Sequence, residues 1–362
     1  MGIKQFNNPE AGFANKFLRA ITFDSTGPNV GIVTSPPLPD VAKASGGTVS
    51  YTPTTVIHKF TSSGSLVVPA PVGTLSCNCL IVGGGGGGGC DNGGGGGGGE
   101  VVIGSGVPTP AATHPVVIGG GGGGATNPAV VGTKGTATTW NSIFARGAGG
   151  GSGALVSAGS ADGGPAAEPS MFGSGGGAGV MGNPPSGSID AGSAGTAQSP
   201  TPTITYPTGY VGADGSDSSN YNAGGGSGAG GNGYGGKSPT PAPLFGQGGN
   251  GVESDMIASA PSPYWWGGGG GGGQFSPPSN NSMRGGKGGG GGGKNGQSNP
   301  PLFGEGDNNG INAGEDGEPG SNPGGGDGGT NTGGGGGGDG RGMTAGGGGD
   351  GGSGIVIIVY NK

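Results

Sequence analysis

The stretch "LIVGGGGGGGCDNGGGGGGGEVVIG", Leu80 to Gly104, decides how the rest of the chain is read. Two blocks of seven glycines are separated only by Cys90, Asp91 and Asn92, and apolar, strand-like segments flank the pair. Glycine loses more conformational freedom on folding than any other residue. Ordering backbone costs roughly 1–2 kcal/mol per residue, and apolar burial returns about 25 cal/mol per Å². Large apolar side chains are too few to supply that return: of 362 residues, 107 are Gly and 30 Pro, and only 29% are hydrophobic. The compensation has to come from main-chain N–H and C=O groups.

One backbone form meets this demand. An extended glycine helix of the polyproline-II type has three residues per turn, rises about 3.1 Å per residue and makes no internal hydrogen bonds. All its polar groups point outward, and without Cβ atoms such helices can pack side by side and bond to one another. The unbroken runs Gly83–Gly89, Gly93–Gly99, Gly119–Gly124, Gly267–Gly273, Gly288–Gly293, Gly333–Gly338 and Gly346–Gly349 suit helices with neighbours on all sides. Asn, Asp, Ser and Pro between runs supply the turns. The opening stretch then reads as two antiparallel polyglycine helices joined by "CDN".

Composition marks the boundaries. Residues 1–82 hold eight glycines and residues 83–362 hold 99. Within 8–21, "NPEAGFANKFLRAI", Asn8 can cap a helix, Pro9 suits its first turn, and Phe13, Phe17 and Ile21 share one face. That face either packs locally or anchors the chain to a larger assembly. Residues 51–82 read as strands, with "TTVIHKF" and "SLVVP" flanking "TSSG" as a hairpin. The apolar "IVIIVY", Ile355–Tyr360, needs cover on both faces and is expected to pair with Cys77–Val82. The expected fold is therefore mostly irregular and β: a polyglycine-II helix bundle capped by a small antiparallel β platform, with strands near 54–82 and 354–360 and a short N-terminal helix. Its parts are an N-terminal arm (1–45), the platform (46–82 with 353–362) and the glycine body (83–352).

Several chemistries are disfavoured. Cys77, Cys79 and Cys90 lack a fourth ligand at diagnostic spacing, with only His58 and His114 available, so no metal is expected. "GNGYGGKS", Gly231–Ser238, matches the phosphate-loop pattern, but prolines follow where a helix is required. Net charge is −7 and "RGG" occurs once, against nucleic-acid binding. Calcium-binding nonapeptide register is not kept, and Glu305, Asp307, Glu315, Asp316, Glu318 and Asp327 read as a solvated loop surface, with a scattered cation site as the alternative. No nucleophile, triad or paired carboxylates emerge, so neither enzyme activity nor a cofactor is expected. No secretory signal pattern or membrane-spanning stretch is present in the sequence.

Aromatics on loops carry the remaining signal, since they offer large contact area at low entropic cost. Tyr264, Trp265 and Trp266 precede a glycine run; Tyr206 and Tyr210 lie in a low-glycine insertion; Phe275 follows the Gly267–Gly273 run. Trp265 and Trp266 can equally sheathe the lattice or form a contact. The two Pro-Leu-Phe-Gly elements at Phe245 and Phe303 read as plugs of the lattice ends, and Trp140 and Phe144 as packing.

"HKFTSSGSLVVP", "CLIVGGGGGGG" and the terminal "GGGGDGGSGIVIIVY" together resemble the glycine-rich domain of phage tail-fibre and adhesin proteins. The body resembles the distal adhesins of T-even-type phages, a polyglycine-II sandwich with variable loops at its tip. The resemblance implies a bacteriophage virion protein that binds a host surface receptor, saccharide or outer-membrane protein, through loops carrying Tyr206, Tyr210, Tyr264, Trp265, Trp266 and Phe275. It also implies contact with other virion proteins through the N-terminal arm, and a homotrimer as one assembly state. The long Pro/Ser/Thr insertions and the arm depart from that family's pattern, which leaves tail fibre and capsid surface both open. A capsid-bound decoration or fibre protein is the alternative, and an ice-binding polyglycine bundle the third reading.

Overall fold

The computed structural model describes residues 42–153, 174–179, 204–205, 210–215, 222–236, 244–257, 263–274, 283–296, 303–317, 324–340 and 346–362. They belong to one compact unit, Ala42–Lys362. The helix expected over 8–21, with Phe13, Phe17 and Ile21, lies outside the described residues, as do Tyr206 and Phe275. The described regular structure is β, with a single 3-10 turn at Ala70–Val72 and no α-helix.

The strands are β1 (Thr48–Tyr51), β2 (Thr55–Phe60), β3 (Gly64–Val67), β4 (Leu75–Val82), β5 (Val101–Thr109), β6 (Thr113–Val117), β7 (Thr138–Trp140), β8 (Ile143–Ala145), β9 (Ile204–Thr205), β10 (Val252–Ser254), β11 (Tyr264–Trp266) and β12 (Ile355–Asn361). All their pairings are antiparallel. One sheet runs β1-β2-β12-β4-β5-β9, a second β3-β6-β7-β8, and β10-β11 form a ribbon.

The terminal strand β12 sits between β2 and β4, with Val356 opposite Ile81 and Phe60. Its alternating side chains explain its apolar sequence. Val356, Ile358 and Tyr360 enter the core between the two larger sheets, with Phe60, Cys77, Cys79, Leu66, Val116 and Trp140. Ile355 and Ile357 face the other way, with Leu80, Val82, Val101 and Trp266. The expected β2–β3 hairpin does not form. Thr61–Ser63 instead carry the chain from one sheet to the other, and β3 pairs with β6. The reason lies in the core: Phe60 and Leu66 are both buried in it from opposite layers, and β2 gains a continuous apolar neighbour in β12.

The hairpin of β4 and β5 runs on into glycine without losing register. Val82 lies opposite Val101. The Gly83 N–H then donates to Glu100 O, Gly86 to Gly97 O and Gly89 to Gly94 O. The turn closes at Asp91 and Asn92, at φ 56° and 52°, the left-handed region that Asp and Asn tolerate.

Bonding along Gly83–Gly89 repeats every three residues and reaches six neighbours. Besides 94–100, N–H groups of Gly84 and Gly87 donate to Thr136 and Thr133, and those of Gly85 and Gly88 to Gly352 and Gly349. Carbonyls of Gly84 and Gly87 accept from Ala148 and Gly151, those of Gly85 and Gly88 from Gly122 and Ala125, and those of Gly86 and Gly89 from Gly336 and Asp339. These bonds measure 2.8–3.0 Å. The neighbours approach where a side chain would stand: a Cβ on Gly86 would lie 2.0 Å from Gly149 O.

Gly86→Ala is expected to lower unfolding free energy by about 3 kcal/mol or more, because main chain on that side cannot retreat without breaking its own bonds. Gly120→Ala, whose Cβ would meet only Thr136 Oγ1 at 3.9 Å, should stay within about 0.5 kcal/mol of the parent. Denaturant midpoints of the two variants check the contrast.

Candidate binding surface

The glycine body has two ends. At the sheet end, runs leave from Val82 and Val101, and Gly267 and Gly333 lie beside them. At the far end, Gly273 N–H donates to Gly93 O, Gly93 N–H to Asp339 O, and Gly296 N–H to Gln274 O.

The sequence-predicted aromatics among the described residues lie toward the sheet end. Trp266 is fully buried, packed with Val82, Val101, Ile355 and Ile357; it forms a floor under the lattice. Tyr264 meets it edge-on, with ring centroids 6.1 Å apart. Trp265 points to the other side of β11 and stays half-buried. Lys287 Nζ stands 4.8 Å from its ring centroid, and Glu253 lies opposite on β10. Tyr210 is half-buried, and its carbonyl accepts from the Gly175 N–H and the Ser227 hydroxyl. The structure thus joins Tyr264 and Trp265 on one ribbon and removes Trp266 from any surface.

The far end is polar. Asn92, Asn222, Gln274, Lys294, Asn295 and Asp339 are buried there, and Gln274 bridges to Asn222 and Asn295. The residues that flank 275–282, 297–302 and 341–345 belong to this end, as do Gly153 and Gly179, which pack by Ser152. The loop Thr126–Val130 is also there, following Ala125, with Val130 45% exposed.

Asp307 corrects the expectation of a solvated acidic surface. It is buried, and its carboxylate accepts the N–H groups of Gly288, Gly289 and Asn309. Asp316 likewise accepts from Gly306, and Asp327 from Asp350. These carboxylates terminate the lattice where its amides would otherwise face solvent. Glu305 alone of the described set pairs with an arginine, Arg284, at 2.7 Å. Among the described residues no group of three or more His, Cys, Asp or Glu gathers to hold a metal ion.

The glycine-rich domain family matches this chain over residues 61–292. The chain belongs to that family. Comparison with curated proteins finds no match.

In this glycine-rich domain the features that sequence reasoning missed are two buried ion pairs. Arg146 Nη1 lies 3.5 Å from Glu100 Oε2, and Lys294 Nζ 3.1 Å from Asp339 Oδ1, every side chain at most 3% exposed. The signal was present: Glu100, Lys294 and Asp339 each close an unbroken glycine run. Burial pushes the Glu100 carboxyl up to about 7, with the Arg146 N–H and guanidinium pulling it only partly back. Burial also pushes the thiols of Cys79 and Cys90 up to about 12, which makes them poor nucleophiles.

Two outcomes follow for solution work. Trp140 and Trp266 are fully buried while Trp265 is not, so Trp265→Phe should remove most of the acrylamide-quenchable fluorescence. For Glu100, the native carboxyl keeps its proton to higher pH than the unfolded one does, at 4.5. The native state therefore binds more protons between about 4.5 and 7, and stability should fall as pH rises through that window. Glu100→Gln should flatten that part of a pH series of thermal melts.

Proposed function

We propose that the chain is a bacteriophage virion protein, a tail-fibre or receptor-binding adhesin, whose body is a polyglycine-II bundle presenting loops to a host surface. The three-residue period and six-neighbour bonding of Gly83–Gly89 support the bundle reading, because a threefold helix without internal bonds sends its amides outward in three directions. The observation that carries the adhesin reading is polarity of construction. The sheets and β12 stand at one end, and the flanks of several insertions meet at the other.

On this reading the receptor contact belongs to the far end, with Phe275 among its residues, and Tyr264–Trp266 serve the sheet end. The ligand is a cell-surface saccharide or outer-membrane protein. The arm holding Phe13, Phe17 and Ile21 meets other virion proteins. The bonding of Gly83–Gly89 closes within one chain, so trimer formation is not required to satisfy it.

The experiment is adsorption of the purified chain to a panel of intact bacterial cells. Replacing 216–221 and 275–282 by Gly-Ser segments of equal length should weaken saturable binding about tenfold or more, or roughly 1.4 kcal/mol, with the melting temperature unchanged. Binding to no strain, or binding indifferent to the replacements, overturns the proposal.

A further inference from the structure

Lys294 ends the run Gly288–Gly293 and Asp339 ends the run Gly333–Gly338. Their backbones are bonded neighbours, the Lys294 N–H donating to Gly338 O at 2.9 Å. Their side chains are 0% and 1% exposed, with Nζ 3.1 Å from Oδ1. Nζ is in direct contact with Oδ1 and pulls the Asp339 carboxyl toward its charged form, and no other described group hydrogen-bonds either atom. A buried ion pair recovers its desolvation cost only when geometry is good and further hydrogen bonds satisfy both partners. On the lysine side that support is missing, since Nζ has Asp339 alone.

The other side of the carboxyl is furnished differently. Cys90 Sγ lies 3.9 Å from Asp339 Oδ2 and donates to it, and the Asp91 main-chain N–H also hydrogen-bonds the Asp339 carboxyl. Burial holds the Cys90 thiol protonated, so it remains a donor. Burial likewise pushes the Asp339 carboxyl up to about 6, against the pull of Lys294. Nζ thus stands at one carboxyl oxygen and the Cys90 S–H at the other, where charge on Oδ2 would be stabilised.

We propose that Lys294 and Asp339 condense to a side-chain amide, an intramolecular isopeptide cross-link between two neighbouring glycine runs. A proton passes from the ammonium to the carboxylate, leaving an amine and a carboxylic acid. The Nζ lone pair attacks Asp339 Cγ and the N–C bond forms, while the carbonyl electron pair moves onto Oδ2, held by the Cys90 S–H. The pair returns, the C–O bond to the hydroxyl breaks, and the hydroxyl leaves as water with a second proton from nitrogen. Ammonium and carboxylate become amide and water, with no change in oxidation state and no cofactor. Two features of the lattice favour the step. Fixed backbones hold the reacting atoms in contact, which gives a high effective concentration. The product replaces two buried charges by one neutral polar group. The cross-link closes the loop from 294 to 339 at the far end of the body.

The test is the mass of the full chain, purified folded and then denatured. The expected value is the sequence mass less one water, with a tandem spectrum showing the Lys294 and Asp339 peptides joined. Asp339 precedes Gly340, and cyclisation of such a pair to a succinimide loses the same mass. A loss confined to a linear peptide containing Asp339–Gly340 therefore overturns the proposal, as does the full sequence mass. Lys294→Met, checked for its β signal by circular dichroism, should show the full sequence mass and no joined peptide; a water still lost from that variant counts against the cross-link. The parent's own spectrum decides the matter even if the variant does not fold.

Discussion

Main-chain hydrogen bonds between glycine segments are the interaction on which the body stands. In a sheet each strand bonds to two neighbours, and its faces are covered by side chains. Here the Gly83–Gly89 run bonds to six neighbours, and nothing but backbone covers it. The net contribution of one such bond is about 1 kcal/mol, whereas a buried polar group left unpaired costs about 1–3 kcal/mol. The asymmetry makes the lattice cooperative: a segment that leaves strands donors and acceptors on several others at once. It also explains the composition. A Cβ on Gly85, Gly86, Gly87 or Gly88 would lie 2.0–2.1 Å from a carbonyl oxygen of an adjacent segment, so the requirement for glycine there is steric as well as conformational.

The lattice does not stand without an apolar base. Val82, Val101, Ile355 and Trp266 pack together where strands give way to glycine. The β4–β5 register continues from Val82–Val101 into Gly83–Glu100 and on to Gly89–Gly94. A side-chain period of two thus passes into a main-chain period of three along one hairpin. The sheets supply hydrophobic stabilisation that glycine cannot, and they fix the points from which the runs depart.

The unbroken runs, the turn residues between them and the pairing of the apolar terminal strand with Cys77–Val82 are legible in the sequence; β5 to β8, which lie within the span read as glycine body, are not, because their short apolar stretches sit between glycine runs. The β2–β3 hairpin misled because "TSSG" specifies a bend but not the sheet to which the next strand belongs; that depended on β12, almost 300 residues away in sequence. Tyr264–Trp266 read as one aromatic cluster, but strand alternation divides it, burying Trp266 and leaving Trp265 beside Lys287. Asp307 read as a surface charge because its partners are main-chain amides of Gly288 and Gly289, which no residue pattern announces.

A homopolymeric run also poses a problem that an ordinary strand does not. Slipping one glycine run past another by three residues restores the hydrogen-bond pattern wherever the two still overlap, since the period is three and all side chains are alike. Register must therefore be specified where glycine stops. At the sheet end, β4, β5 and β12 do this through side chains that fit only one way, and Glu100 meets Arg146 at the first position after a run. At the far end, the Cys90–Asn92 turn fixes one pair of runs, and Lys294 against Asp339 fixes another, each residue following a run of six glycines. A slip of three would carry either charge out of reach of its partner and leave it buried alone, which costs far more than the pair does. The charged residues that close the runs are thus explained by register: they make one alignment of an otherwise degenerate lattice the lowest in free energy.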